Sequence, residues 1–138
     1  MTPSHSPCLI VDDEPEMCWA LARILTGAGG SCQTAASARE AIALAARHPF
    51  CLAFLDAKLP DADGLDLARR LQAFHPGIRI VLVSGYFYQD DPLITAAIQS
   101  GQIAAFIAKP FAHAEIWRAI GAMPKSAPAA GRETPPVI

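Results

Sequence analysis

Five short apolar runs alternate along the chain with segments whose apolar residues recur at helical spacing. The first run, Pro7–Val11, precedes a helix predicted from about Glu14 to Thr26, with Pro15 in its first turn and Gly27 just past its end. A weaker run, Ser31–Ala35, leads to Ser37 and Glu40, an S-x-x-E capping box opening a helix to about Arg47. Leu52–Leu55 is the third strand, and Gly64–Phe74 carries Leu65, Leu67, Leu71 and Phe74 at roughly helical spacing. Ile80–Ser84 is the clearest buried strand. Asp91 and Pro92 fit the N-cap and first position of a helix to about Ser100, followed by a strand over Ala104–Ala108 and a last helix over Ala112–Gly121. Strict alternation of this kind predicts one α/β domain, a doubly wound parallel sheet with helices on both faces.

In a parallel sheet the residues ending each strand meet along one edge, and ligands bind there, near the point where strand order reverses. Asp12, Asp13 and Glu14 follow the first strand, Asp56 the third, Ser84 ends the fourth and Lys109 follows the fifth. Each alone has an ordinary explanation. The two aspartates could cap the helix beginning at Glu14, Asp56 could be a turn residue, Ser84 a strand-end hydroxyl and Lys109 a solvated cation. Together they mean something more, because converging carboxylates resist ionising unless a cation neutralises them. Mg²⁺ suits a site of few carboxylates and several waters. Such a site can support phosphoryl transfer onto a carboxylate, with ammonium and hydroxyl meeting the phosphoryl oxygens. Asp56 is the best candidate nucleophile because it stands alone at the end of the central strand.

Composition narrows the remaining choices. A chain of 138 residues holds one domain with a real core, and 52% apolar with 17% charged residues suits a compact fold. A net charge of -2 supplies no basic field, so direct nucleic-acid binding by this domain is not expected. The start, MTPSHSP, lacks the pattern of a secretory signal, and no run approaches the length of a membrane span, so a soluble, cytoplasmic protein is expected. Cys8, Cys18, Cys32 and Cys51 form no C-x-x-C pair and read as small buried hydrophobes. His5, His48, His75 and His113 show no metal-ligand spacing, and none sits at a strand end. Residues 1–6 read as an extension, 7–123 as the domain, and the Pro/Ala-rich 124–138 as a flexible tail or the start of a linker.

Four pieces carry a resemblance: LIVDDEP, FLDAKLPDADGLDL, IVLVSGY and FIAKPF, in this order and spacing. With them, residues 7–121 resemble a receiver domain of the two-component response regulators. The resemblance implies a flavodoxin-like (βα)5 receiver fold, with Asp56 as phosphoacceptor. It further implies Asp13, Asp12, Asp56 and the main-chain carbonyl of Lys58 as ligands, direct or through water, of Mg²⁺ or Mn²⁺. Ser84 matches the switch hydroxyl, Lys109 the cation that pairs with the phosphoryl group, and Lys109–Pro110 a cis peptide. Phe106 matches an aromatic whose rotamer follows phosphorylation, although its pattern alone fits an ordinary core residue. The implied partners are a sensor histidine kinase or phosphotransfer protein upstream, and a downstream protein or an effector domain outside this chain. The domain would catalyse only its own phosphorylation and dephosphorylation, and its fourth helix, fifth strand and fifth helix would form the responding surface.

Two departures from the family pattern are visible. The segment from Ser84 to Lys109 is longer than usual around Tyr86, Phe87 and Tyr88, aromatics that either anchor in the core or cover the site. Tyr86 and Lys58 stand two residues after Ser84 and Asp56, positions expected to govern how water reaches the acyl phosphate. The last strand and helix lack the charged pattern of one DNA-binding branch. This points to a different homodimer, or to a partner docking near Ile103, Phe106 and Trp117. Two other readings stay open. A phosphatase of the haloacid-dehalogenase type needs a second acid two residues after its nucleophile, where Lys58 stands; a phosphate-independent interaction module would bind partners even as Asp56→Asn.

Overall fold

The computed structural model describes residues 7–27, 30–85 and 91–121. The extension, the Tyr86–Tyr88 aromatics and the Pro/Ala-rich tail lie outside these residues. Strands and helices alternate as β1 (Cys8–Val11), α1 (Pro15–Gly27), β2 (Cys32–Ala35), α2 (Ala38–Ala45), β3 (Leu52–Asp56), α3 (Gly64–Phe74), β4 (Arg79–Ser84), α4 (Pro92–Gln99), β5 (Ala105–Ala108) and α5 (His113–Gly121).

The strands form one parallel sheet in the order β2-β1-β3-β4-β5. Period-2 alternation sends their side chains into two cores. On one face Ile10, Phe54, Val81, Val83 and Ile107 pack against Leu21, Ile24 and Leu25 of α1 and Ile116 of α5. On the other, Leu9, Val11, Ala53, Leu55, Ile80, Leu82 and Phe106 meet the buried alanines of α2, Leu67 and Leu71 of α3 and Ile94 of α4. Burial on both faces explains why β3 and β4 read as continuous apolar runs.

Helix ends follow their sequence signals. Ser37 Oγ accepts from Glu40 N–H at 3.1 Å, and the Glu40 carboxylate reaches back to Ala36 N–H. Asp91 caps α4 by accepting from Leu93 N–H, with Pro92 at its first position. Several boundaries differ from the sequence reading. Helix α1 includes Gly27, and α2 stops at Ala45, short of Arg47. Strand β3 runs one residue further, because Asp56 still pairs with Val83 of β4. Phe74, the last residue of α3, is 47% exposed, so the fourth apolar position of that helix lies outside the core. Ring nitrogen Nε2 of His75, just after α3, lies 2.9 Å from Ala45 O and ties α3 to α2. Among the described residues the cysteines are free, with Cys8 buried and the others half-buried. No described helix is long and apolar enough to cross a membrane.

Candidate functional site

Strand order reverses between β1 and β3: from β1 the chain steps outward to β2, then crosses back to β3 on the other side. The register pairs Val11 with Leu55, so the next residues, Asp12 and Asp56, stand side by side at the reversal point. On the other flank Ser84 pairs with Ala108, which brings Lys109 to the same edge, its N–H donating to Ser84 O at 2.9 Å. The carboxylates of Asp12, Asp13 and Asp56 converge, with ligand oxygens within 4.8 Å of one another. Among the described residues, Asp12, Asp56 and Ser84 are the buried polar ones in an otherwise apolar core.

Lys109 organises this cluster. Its ammonium donates to Asp12 Oδ2 at 2.9 Å, approaches Glu14 Oε1 at 3.4 Å and lies 3.8 Å from Asp56 Oδ1. Burial works against its charge, but the hydrogen bond and charge of Asp12, then Asp56 and Glu14, outweigh it and raise its pKa. Asp12 Oδ1 accepts from Glu14 N–H at 2.9 Å, so this carboxylate is held at both oxygens. Asp56 is differently placed. Burial, and then the neighbouring Asp12 carboxylate, push its pKa up to about 6, against the opposing pull of Lys109 and of a long 3.4 Å hydrogen bond from Lys58 N–H. A buried carboxylate kept reluctant to ionise by like charges needs more cationic compensation than one shared ammonium supplies. The donors are all hard oxygens, a set that fits Mg²⁺ or Mn²⁺ and suits no soft metal.

The loop after β3 is closed on itself. Lys58 and Asp63 bridge antiparallel, Leu59 N–H donates to Ala62 O, and Gly64 N–H donates to Ala57 O at 2.8 Å. Asp63 then caps α3 through Leu65 N–H. The Lys109–Pro110 peptide is cis. Phe106 is 6% exposed and packs in the core beneath α3 and α4, and Ile103 is 1% exposed, whereas Trp117 is 44% exposed. The apolar docking patch expected around all three therefore reduces on α5 to Trp117. Alternation along β5 turns Phe106 inward, and Ile103 fills the core ahead of that strand. Tyr86 lies outside the described residues. Asp61, in the loop that follows Asp56, and Gly64, the first residue of α3, take part in holding that loop and were not singled out as site residues by sequence reasoning.

Residues 8–121 match the response regulator receiver domain family. The chain belongs to that family. The response regulator protein PilR of Pseudomonas aeruginosa is 36% identical over 103 residues, 75% of this chain and 22% of PilR. The chain thus spans under a quarter of the length of that relative. Among solved structures, a CheY-like receiver domain protein from Methanospirillum hungatei is 28% identical with a TM-score of 0.76, covering 85% of this chain and 91% of that one. A Burkholderia pseudomallei response regulator, solved with a phosphorylated aspartic acid, calcium ion and citrate, is 26% identical with a TM-score of 0.73. Its match covers 83% of this chain and 65% of that one. As a receiver domain, the chain has a phosphoacceptor role in two-component signalling.

Proposed function

We propose that Asp56 is the residue that accepts the phosphoryl group, with Asp12 and Asp13 as cation ligands and Ser84 and Lys109 as the groups that meet the transferred oxygens. The observation that carries this is the convergence of the Asp12 and Asp13 carboxylates on the strand-end Asp56, which lies 3.8 Å from the Lys109 ammonium. The phosphorylated aspartate and calcium ion in the Burkholderia pseudomallei relative support the same assignment.

An Asp56 oxygen attacks the donor phosphorus, the donor's P–N bond (histidine kinase or phosphotransfer protein) or P–O bond (small phosphodonor) breaks, and an acyl phosphate forms. Asp12, Asp13, Asp56 and the main-chain carbonyl of Lys58 would hold a Mg²⁺ or Mn²⁺ ion, which when bound would supply the charge neutralisation this transfer needs. Lys109 leaves its shared position among Asp12, Glu14 and Asp56 to pair with the new phosphoryl oxygens, and the Ser84 hydroxyl turns toward them. Because Lys109 follows β5 and Ser84 ends β4, their movement biases Phe106 and the surface of α4, β5 and α5. That surface carries exposed Leu93, Ile98 and Trp117, and it would signal to a second copy, a partner protein or an effector domain.

Intact mass after incubation with acetyl phosphate tests the reading. The chain is expected to gain one phosphoryl group in Mg²⁺ and none in excess EDTA; a metal-independent adduct, or none with bound Mg²⁺, contradicts it. Tyr86 is assigned, on its position two residues after Ser84, the role of limiting water at the acyl phosphate. Tyr86→Ala is accordingly expected to shorten the phosphoform half-life several-fold, and an unchanged half-life in a time course of the same mass signal ends that assignment.

A further inference from the structure

The tip of the loop after β3 grips a different element. Asp61 Oδ1 accepts from Ala38 N–H at 2.9 Å and Asp61 Oδ2 from Arg39 N–H at 3.0 Å. These are the first two amides of α2, and the segment leading into α2 does not supply their partners. Glu40 N–H is met by Ser37 Oγ and Ala41 N–H by Ser37 O, both from that segment. A carboxylate from 22 and 23 residues away thus completes the N-terminus of α2. These two amide bonds also hold the Asp61 pKa below the usual carboxylate value, although the side chain is exposed. Helix α2 is a firm anchor, because Ala38, Ala41 and Ala45 are buried against the sheet.

The grip acts on a loop with little slack. Between Asp56 and Asp61 lie Ala57, Lys58, Leu59 and Pro60, with the Lys58–Asp63 bridge and the Leu59–Ala62 hydrogen bond closing the turn. A pull at the tip therefore reaches the Lys58 main chain, whose N–H contacts Asp56 Oδ1. We infer that Asp61 is a positioning residue for the cation site: by docking the loop tip on α2, it fixes the Lys58 main chain and the Asp56 carboxylate where the metal is bound. The inference rests on the metal-dependent reading above.

Capping α2 alone would be a purely structural role, and Ser37→Ala is the matched control because it removes a cap from the same helix without touching the loop. Mg²⁺ affinity of the unphosphorylated protein is measured by calorimetry for wild type, Asp61→Ala, Asp61→Asn and Ser37→Ala, with thermal midpoints alongside. Removing groups that orient metal ligands typically weakens binding tenfold or more. Asp61→Ala is expected to weaken Mg²⁺ binding about tenfold. Asp61→Asn, which keeps one acceptor oxygen, should weaken it less and serves if the alanine variant does not fold. Ser37→Ala should lower the thermal midpoint yet leave the affinity within about twofold. Equal Mg²⁺ affinities in wild type and both Asp61 variants overturn the inference alone, as does an equal loss in Ser37→Ala. A wild-type protein that binds no Mg²⁺ overturns the inference together with the reading beneath it.

Discussion

Asp56→Asn is expected to take up no phosphoryl group from acetyl phosphate and Mg²⁺, while the wild-type chain gains one. In the absence of metal the same variant is expected to be more stable than wild type at neutral pH. Both effects have one source. The Asp56 carboxylate is buried beside Asp12, and its pKa stands at about 6 instead of the ordinary 3.8. A group whose folded pKa is raised binds its proton more tightly in the native state, so the contribution of Asp56 to stability is highest below pH 3.8. It falls as pH rises from there through about 6, then stays level. At neutral pH the ionised Asp56 therefore opposes folding, by an amount on the order of 1–2 kcal/mol once solvent access is allowed for. Asparagine removes the charge at nearly constant shape, which should raise the thermal midpoint by about 5 °C without metal. Mg²⁺ should reverse the order, because it binds and stabilises the wild-type carboxylate cluster more strongly. Thermal unfolding of both proteins between pH 5 and 8, with EDTA and with Mg²⁺, measures this. An asparagine variant less stable than wild type in EDTA would place the charge conflict elsewhere, and one that is still phosphorylated would remove Asp56 from its proposed role.

The cluster was legible in the sequence because parallel strands share an edge. Once β1, β3, β4 and β5 were read as parallel, Asp12, Asp13, Asp56, Ser84 and Lys109 fell on one edge of the sheet, and the register that sets Asp12 beside Asp56 brings them together there. Strand order is another matter. Nothing in the apolar pattern states that β1 lies between β2 and β3, since each strand alone is compatible with several neighbours. Burial on short elements was equally hidden. Phe106 and Trp117 both sit in mostly apolar segments, but β5 turns one inward and α5 leaves the other 44% exposed. Asp61 escaped for a different reason. In PDADG it has the appearance of a turn residue, and its partners Ala38 and Arg39 are distant amides that carry no side-chain signal. Gly64 reads as an ordinary helix start, because what it needs is space, and a sequence does not show which atoms will crowd a Cα.

Gly64→Ala is expected to be the most damaging single methyl addition among the described glycines. A Cβ there would lie 2.4 Å from Asp56 O, 2.8 Å from Ala57 Cα and 3.0 Å from Leu82 Cδ1. Two of these atoms belong to the backbone, so no rotamer change relieves the contact. Helix α3 must instead move away from the end of β3, stretching the 2.8 Å hydrogen bond from Gly64 N–H to Ala57 O. Overpacking of this kind costs about 2–3 kcal/mol. Asp56 and Ala57 bear the displacement directly, so phosphorylation should slow as well. Misplacing reacting groups by about 1 Å can cost on the order of 100-fold in rate, and a loss of tenfold or more is expected in the folded variant. Gly101 provides the contrast: it has a φ of +83° and nothing within 4 Å of its added Cβ. Gly101→Ala should cost about 1 kcal/mol from backbone strain, while acetyl phosphate labelling proceeds at the wild-type rate. Urea unfolding and labelling rates of the two variants separate the cases. A Gly64→Ala protein as stable and as reactive as wild type would mean that α3 can withdraw from β3 without disturbing Asp56. The loop between them would then tolerate more movement than its closed hydrogen bonding suggests.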